Sequence, residues 1–126
     1  MRALRPGVRA VRGRRSVADV VADVERRGAV AHLVGPAGSK AELLEGFAAA
    51  LRFPRWVGRN WDALADALGD LSWLPAGPQA ILWVGPRRLQ EADPEAYRAA
   101  LDVLGQVARS AGRHPLTVLL VPDPAT

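Results

Sequence analysis

Residues 80–121 read AILWVGPRRLQEADPEAYRAALDVLGQVARSAGRHPLTVLLV, and their pattern decides the fold class. Ala80–Val84 and Leu116–Val121 are short and almost wholly apolar, as in strands that are buried on both faces of a sheet. Between them, Asp93-Pro94 offers a capping side chain followed by proline at the first helical position, so a helix is predicted from there to about residue 111. A strand, a helix and a strand in this order predict a parallel pair joined by a right-handed crossover.

The segments before residue 80 continue this alternation. Ala29–Val34 is a third apolar run and predicts another strand buried on both faces. Helices are predicted to begin after Ser16, Ser39 and Asn60, because each of these residues is a favoured N-cap in front of an apolar stripe. Strands joined by helices predict an α/β fold, a small three-stranded parallel sheet packed with helices.

Composition excludes several functional classes. The chain has 126 residues, which is a usual length for one domain, and it has no cysteine, so disulfides, thiolate catalysis and cysteine-based metal sites are excluded. His32 and His114 are far apart in sequence, and no nucleophile, acid or base stands in a catalytic pattern. We therefore expect a protein that is not an enzyme and that binds no metal and no cofactor.

The positive charge is concentrated at the start of the chain. The net charge is +4, but residues 1–28 alone carry +5 and residues 29–126 carry −1. Residues 1–15 lack hydrophobic periodicity, so we expect a flexible, arginine-rich segment there and a single α/β domain over residues 16–126. Basic arms of this kind can bind nucleic acid, which is one functional alternative.

Neither export nor membrane insertion is predicted. No apolar run approaches the roughly 18–20 residues that span a bilayer, and no apolar signal core follows the basic start. We therefore expect a cytoplasmic protein.

A glycine-rich turn at Gly35–Lys40 follows a predicted strand and opens a helix, where a phosphate-binding loop would lie. The spacing of the glycines is too short for that motif, and Ser39 precedes Lys40 instead of following it. Because Ser39 as a helix cap accounts for the pattern, the turn is interpreted as a strand-to-helix connection.

The helix that begins after Asn60 is the most informative segment. Asp62, Asp66 and Asp70 are spaced four apart and so share one face, opposite an apolar face that includes Leu64. Like charges at this spacing cost about 0.2–0.5 kcal/mol per pair, and aspartate is a poor residue inside a helix. Such local inconsistencies occur at functional sites. Carboxylates held rigidly on a helix can imitate phosphates and would suit a partner whose site is lined with arginine and lysine.

Residues 53–68, FPRWVGRNWDALADAL, resemble the signature of the barstar family, the intracellular inhibitors of the secreted ribonuclease barnase. The shared features are an apolar residue followed by proline, an aromatic residue, Gly-x-Asn, and then Asp-Ala-Leu with a second aspartate. The order of elements from Ala29 to Val121 also resembles the family fold. This resemblance covers roughly the last three-quarters of the chain.

The resemblance implies an inhibitor, of immunity or antitoxin type, that blocks a ribonuclease active site with the acidic helix and the preceding loop. Asp66 would be the central phosphate mimic, Asp62 would assist it, and Trp56 would pack on the side chains of the nuclease active site. Gly58 would allow close approach, Asn60 would cap the helix, and Trp73 would lie at the edge of the interface. The implied partner is a small secreted or toxin ribonuclease bound by a monomer in a 1:1 complex.

The sequence also departs from the family pattern. Arg55 and Arg59 stand where the founding member has acids, Ala65 stands where it has tryptophan, and Val107 is nearest to a glutamate of its last long helix. The two arginines leave open a second possibility, an interaction module of the same fold for a different partner with a basic site.

Overall fold

The computed structural model describes residues 2–110 and 112–123. Within these residues it contains four strands and five helices. In chain order they are β1 (Gly7–Ala10), α1 (Val17–Arg26), β2 (Val30–Val34), α2 (Lys40–Ala50), α3 (Trp61–Asp70), β3 (Gln79–Val84), α4 (Arg87–Ala92), α5 (Pro94–Arg109) and β4 (Leu116–Val121). Ala111, close to where we expected the last helix to end, lies outside the described residues.

The sheet is fully parallel and has the strand order β1-β4-β3-β2. The α/β class and the three predicted strands are confirmed, but the expected number of strands was wrong, because β1 adds a fourth. This strand lies inside the segment 1–15 that we expected to be flexible. It pairs with β4 from Gly7 opposite Thr117 to Ala10 opposite Leu120. The short helix α4 was also not predicted.

The helices cover the sheet in two layers. Val20 and Val24 of α1 pack on one face, against a cluster that includes Ala80 and Leu82 of β3. The helices α2, α3, α4 and α5 pack on the other face, in the larger cluster that contains Ile81 and Trp83. Alternate residues of β3 therefore point into the two different cores, as a strand covered on both faces requires.

All four predicted helix caps are formed. Ser16, Ser39, Asn60 and Asp93 each accept a hydrogen bond from the backbone N–H three residues later, at 2.8–3.1 Å. These bonds satisfy N–H groups that have no partner inside the helix. Because the caps depend only on local sequence, helix starts were the most predictable feature of the fold.

Strand β2 differs from the prediction because it forms an edge of the sheet. We expected Ala29–Val34 to be buried on both faces, but Val30 and Leu33 are each 51% exposed. Among the described strands, β2 pairs with β3 alone, and Leu33 is not part of the core that contains α1. The error arose because an apolar run reports hydrophobicity and does not report the position of a strand in the sheet.

Gly35, which follows β2, gives the first testable prediction. Its φ is +93°, and a Cβ there would lie 2.5 Å from the carbonyl oxygen of Val84. Gly35→Ala is therefore expected to lower the free energy of unfolding by about 1–3 kcal/mol, measured by urea denaturation. Gly69→Ala is the matched control, because it lies inside α3 with no atom within 4 Å of the new Cβ; it should raise stability by about 0.5–1 kcal/mol. Equal effects of the two substitutions would contradict the prediction.

No helix in the described part of the chain is long and apolar enough to cross a bilayer.

Candidate functional site: an acidic groove

Helix α3 presents its two faces as the sequence predicted. Leu64 and Leu68 are 1% and 2% exposed and lie in the larger core, while Asp62, Asp66 and Asp70 are exposed on the opposite face. The segment from Asn60 to Asp70 contains no lysine or arginine. The buried face therefore fixes the orientation of the helix and holds three carboxylates toward solvent.

A shallow groove separates this helix from the loop before it, residues 52–59, which we call the binding loop. Its volume is about 380 Å³. We call it the acidic groove, and it is lined by Trp56, Val57, Gly58, Ala63, Asp66, Ala67 and Asp70. Three of the six predicted site residues, Trp56, Gly58 and Asp66, thus line one concavity.

The carboxylates of Asp62 and Asp66, the two acids among the predicted site residues, have no partner in the part of the chain that the structure describes. The side chains of Asp62 and Asp66 form no hydrogen bond or ion pair with any residue that the structure describes. Asp70, in contrast, accepts a hydrogen bond from the hydroxyl of Ser72 at 3.1 Å. Among the described residues, the carboxylate of Asp66 is therefore without an ion-pair partner at the edge of a concave surface.

Trp56 is the most exposed large apolar side chain of the site, at 76%. Its neighbour Val57 is 6% exposed and anchors the binding loop, and the Val57 amide donates to the carbonyl of Pro54 at 3.1 Å. A buried residue next to an exposed indole holds the backbone while it leaves the ring in solvent. Exposed aromatic rings of this kind are frequent contributors of binding energy at protein interfaces.

Gly58 brings the binding loop close to the start of α3. A Cβ at this position would lie 3.3 Å from the side-chain nitrogen of Asn60 and 3.6 Å from Cβ of Ala63. Asn60 itself is occupied, because its side-chain oxygen accepts from the Ala63 amide at 2.8 Å. Asn60 does not line the acidic groove. Its role is to cap α3, which fixes where that helix begins.

Trp73 lies apart from the groove. Its indole N–H donates to the carbonyl of Leu51 at 2.9 Å, and its ring meets Phe53 edge to face with centroids 5.9 Å apart. The side chain is half-buried and braces the start of the binding loop. Asp62 also lies outside the groove lining, one turn before Asp66 on the same face.

Arg59, one of the two departures from the family pattern, is used inside the protein. Its Nε donates to a carboxylate oxygen of Glu45 at 2.7 Å, and a terminal guanidinium nitrogen donates to the carbonyl of Val57 at 2.8 Å. The side chain ties the binding loop to α2 and has its charge neutralised there. Arg55 is exposed and has no such partner among the described residues.

Asp70 is the one charged residue of the groove lining that the predicted site left out. We expected Asp70 on the acidic face, but of the three aspartates only Asp62 and Asp66 were among the predicted partner-binding residues. The four-residue spacing from Asp66 was a sufficient signal, since it puts the two carboxylates on neighbouring turns.

The histidines hold structure together. Nε2 of His32 lies 2.7 Å from the side-chain oxygen of Gln79, whose amide nitrogen donates to the carbonyls of Pro75 and Gly77. Nε2 of His114 lies 3.1 Å from the carbonyl of Leu74. Among residues 2–110 and 112–123, no group of three or more histidine, cysteine, aspartate or glutamate side chains is arranged to hold a metal ion.

A family model described as Barstar (barnase inhibitor) matches residues 29–121. The matched region contains the binding loop and α3, and it starts after α1, so β1 and α1 lie outside it. No curated protein matches the chain.

Proposed function

The chain belongs to the barstar family, and we propose that it is a protein inhibitor of a ribonuclease, of immunity or antitoxin type. The observation that carries the proposal is the acidic groove, in which Trp56, Gly58 and the unpaired carboxylate of Asp66 meet. The proposed partner is a small secreted or toxin ribonuclease of the barnase type, bound 1:1 in the cytoplasm.

In the proposed complex, α3 and the binding loop occupy the active-site cleft of the nuclease. Ribonucleases of this type bind the phosphates of RNA with arginine and lysine side chains. Asp66 would accept charge-assisted, often bidentate hydrogen bonds from those groups, in place of a substrate phosphate. Trp56 would cover the cleft and exclude water, which strengthens the charged contacts beneath it. Inhibition would follow from occupation of the cleft, with no chemical step.

Asp62 is proposed to assist as a weaker contact. It lies in the first turn of α3, where the helix dipole favours a carboxylate, and it stands one turn from the groove. Trp73 is proposed to act at the edge of the interface through the loop that it braces, since its indole N–H is already used by Leu51.

The experiment that tests the proposal is cleavage of RNA by a barnase-like ribonuclease, titrated with this protein. Activity should fall linearly and reach its minimum at one equivalent of inhibitor. A 1:1 complex should appear in size-exclusion chromatography of the mixture. Full nuclease activity in the presence of excess folded protein would overturn the proposal for this class of nuclease.

One observation favours a second candidate, a partner that has a basic site but differs from barnase-like nucleases. Arg55 is exposed next to Trp56 and has no ion-pair partner among the described residues, at a position where the founding inhibitor has an acid. A partner that accepts this side chain needs an acidic group beside its basic cleft. Arg55→Glu discriminates the two candidates, because it should strengthen binding to a barnase-like ribonuclease and weaken binding to the other partner.

Arg59 gives a further prediction, about organisation of the loop. Arg59→Ala removes both the ion pair with Glu45 and the hydrogen bond to Val57, so the binding loop of the free variant becomes less ordered. Ordering the loop on binding then costs free energy and lowers the affinity for the nuclease. We expect affinity to fall about tenfold, or about 1.4 kcal/mol. The free energy of unfolding should change by less than about 1 kcal/mol, because the ion pair is exposed.

Glu45→Gln is the first control for this prediction, because it removes the ion pair and keeps the bond from Arg59 to Val57. It should lose less affinity than Arg59→Ala. Arg98→Ala, an exposed arginine on α5, should leave affinity unchanged. A result in which Arg59→Ala binds as tightly as the wild type would show that the loop needs no such brace.

A further inference from the structure

The fold gathers arginines from separate parts of the sequence around a second concavity. It has a volume of about 350 Å³ and lies where the chain enters β1 and leaves α1. We call it the arginine pocket, and it is lined by Arg2, Ala3, Leu4, Arg5, Arg9 and Arg27. Four arginines therefore line one small concavity, and none of them lies in the region matched by the family model.

Most of this charge is uncompensated. The carboxylate of Asp23 is shared by three arginines, Arg15, Arg26 and Arg27, at 3.2–3.9 Å. Arg27 is the one pocket arginine that has an acidic partner within residues 2–110 and 112–123. Arg2, Arg5 and Arg9 thus line one concavity without an acidic partner among the described residues, and their positive charges attract anions to it.

Hydrogen bonds to main-chain atoms hold the pocket in shape. A guanidinium nitrogen of Arg9 donates to the carbonyl of Arg5 at 2.8 Å, and the buried hydroxyl of Thr117 donates to the same oxygen at 3.0 Å. Arg27 donates to the carbonyl of Arg2 at 3.4 Å. The backbone of the first residues is thereby fixed to β4 and α1, while the side chains of Arg2 and Arg5 make no bond to the rest of the described chain.

We propose that the arginine pocket binds the phosphodiester backbone of nucleic acid without sequence preference. The planar guanidinium fork matches the oxygens of a phosphate and binds them in pairs. The pocket, at about 350 Å³, has room for one phosphate group. Arg12 and Arg14 are exposed further along the same segment and supply positive charge outside the pocket. A polymer of phosphates fits this surface better than a single small anion does.

The surface around the pocket disfavours an anionic membrane as the ligand. Peripheral membrane binding combines basic residues with large apolar side chains that enter the lipid. The exposed large apolar side chains of the described chain are Val30, Leu33 and Trp56, and none of them lines the arginine pocket.

The proposed nucleic-acid site is independent of the proposed inhibitory site. Arg27 follows α1 on one face of the sheet, and Leu4 packs in the same core as α1. The acidic groove is built by α3 on the opposite face. Both surfaces are therefore available at the same time, and a variant of one should leave the other unchanged.

The test is fluorescence anisotropy of a fluorescein-labelled 20-nucleotide oligo(U) RNA, titrated with the full-length protein at several salt concentrations. We expect saturable binding that weakens steeply with salt, because phosphate contacts release counterions. Arg2→Gln/Arg5→Gln should weaken binding at least about tenfold and reduce the slope of log K against log salt by about 1.4, or about 0.7 for each lost phosphate contact. DNA of the same length should bind with similar affinity.

Arg98→Gln/Arg113→Gln is the matched control, because it removes the same charge from exposed positions outside the pocket. It should change affinity less than threefold. If both double variants lose the same RNA affinity, then net charge alone attracts RNA, and the arginine pocket is not a specific binding site. Absence of binding at low salt, or binding to vesicles that contain phosphatidylserine without binding to RNA, overturns the proposal. Asp66→Ala should bind RNA as the wild type does, so failure here is distinguishable from failure of the proposed inhibition.

Discussion

Replacing Asp66 by alanine is expected to weaken binding to the ribonuclease by about 2–5 kcal/mol while the fold stays intact. The lost carboxylate would leave buried arginine and lysine groups of the nuclease without a partner, and that penalty dominates the effect. The range comes from charged pairs such as those of the founding barnase–barstar complex, which is itself the reference case for a dominant aspartate. Isothermal titration calorimetry measures the change directly.

The same substitution should stabilise the free protein. Asp66 is an unfavourable residue in the middle of α3 and has like charges four residues away on both sides, at Asp62 and Asp70. We therefore expect Asp66→Ala to raise the free energy of unfolding by about 0.5–1 kcal/mol. Opposite changes in affinity and stability are the mark of a residue kept for binding.

Two acids serve as controls for Asp66. Asp102→Ala removes an exposed carboxylate from α5 and should leave inhibition unchanged. Asp62→Ala should lose less affinity than Asp66→Ala, because Asp62 is outside the groove. If Asp66→Ala inhibits as tightly as the wild type does, the assignment of the acidic groove as the inhibitory site is wrong.

Leu64→Ala is expected to lower the free energy of unfolding by about 2–5 kcal/mol, through lost burial and the cavity left behind. Leu64 is 1% exposed and lies in the larger core, so its side chain has no access to a partner. Urea denaturation followed by circular dichroism measures the loss. Under conditions where the variant is still folded, it should inhibit the nuclease with nearly unchanged affinity.

Leu64 and Asp66 are two positions apart, and their opposite effects test the orientation of α3. Ala65→Ser is a control for Leu64, because residue 65 is half-buried and the change in volume is small. A change in stability below about 1 kcal/mol for Leu64→Ala would mean that the buried and exposed faces of the helix have been exchanged.

Local signals allowed much of the fold to be predicted. The caps at Ser16, Ser39, Asn60 and Asp93 were predicted from residue type and position, because a cap bonds only to its own helix. Strands β3 and β4 were predicted from apolar runs, because central strands of a parallel sheet are buried on both faces. These features need no information about distant parts of the chain.

Long-range pairing could not be predicted in this way. Strand β1 has the sequence GVRA, with a glycine and an arginine and no hydrophobic alternation. It is a strand because β4 offers it a partner more than 100 residues later, with Gly7 opposite Thr117. Leu33 was wrongly expected to be buried. The apolar run of β2 does not show that this strand lies at the edge of the sheet, with a neighbouring strand on one side.

The part of the candidate site that lies on α3 was predictable from the four-residue spacing of its aspartates. The spacing of Asp62, Asp66 and Asp70 put three carboxylates on one face, and the structure confirms that face. The contacts that Trp73 and Arg59 make within the protein were not predictable. They depend on the fold bringing Leu51 to Trp73, and Glu45 and Val57 to Arg59. From the sequence, we interpreted Arg59 as evidence for a different partner. In the structure it binds Glu45 and the carbonyl of Val57, and so holds the binding loop in place.

The position of β1 in the sheet has a consequence for the order in which the protein forms during translation. Of the four described strands, β1 leaves the ribosome first, yet it pairs with β4, which leaves last. A nascent chain that ends before residue 116 can pair β2 with β3 but offers residues 7–10 no strand to join. Closing so long a loop is also slow. Docking of β1, and with it the arginine pocket, must therefore wait until after synthesis of β4, while the acidic helix is made much earlier.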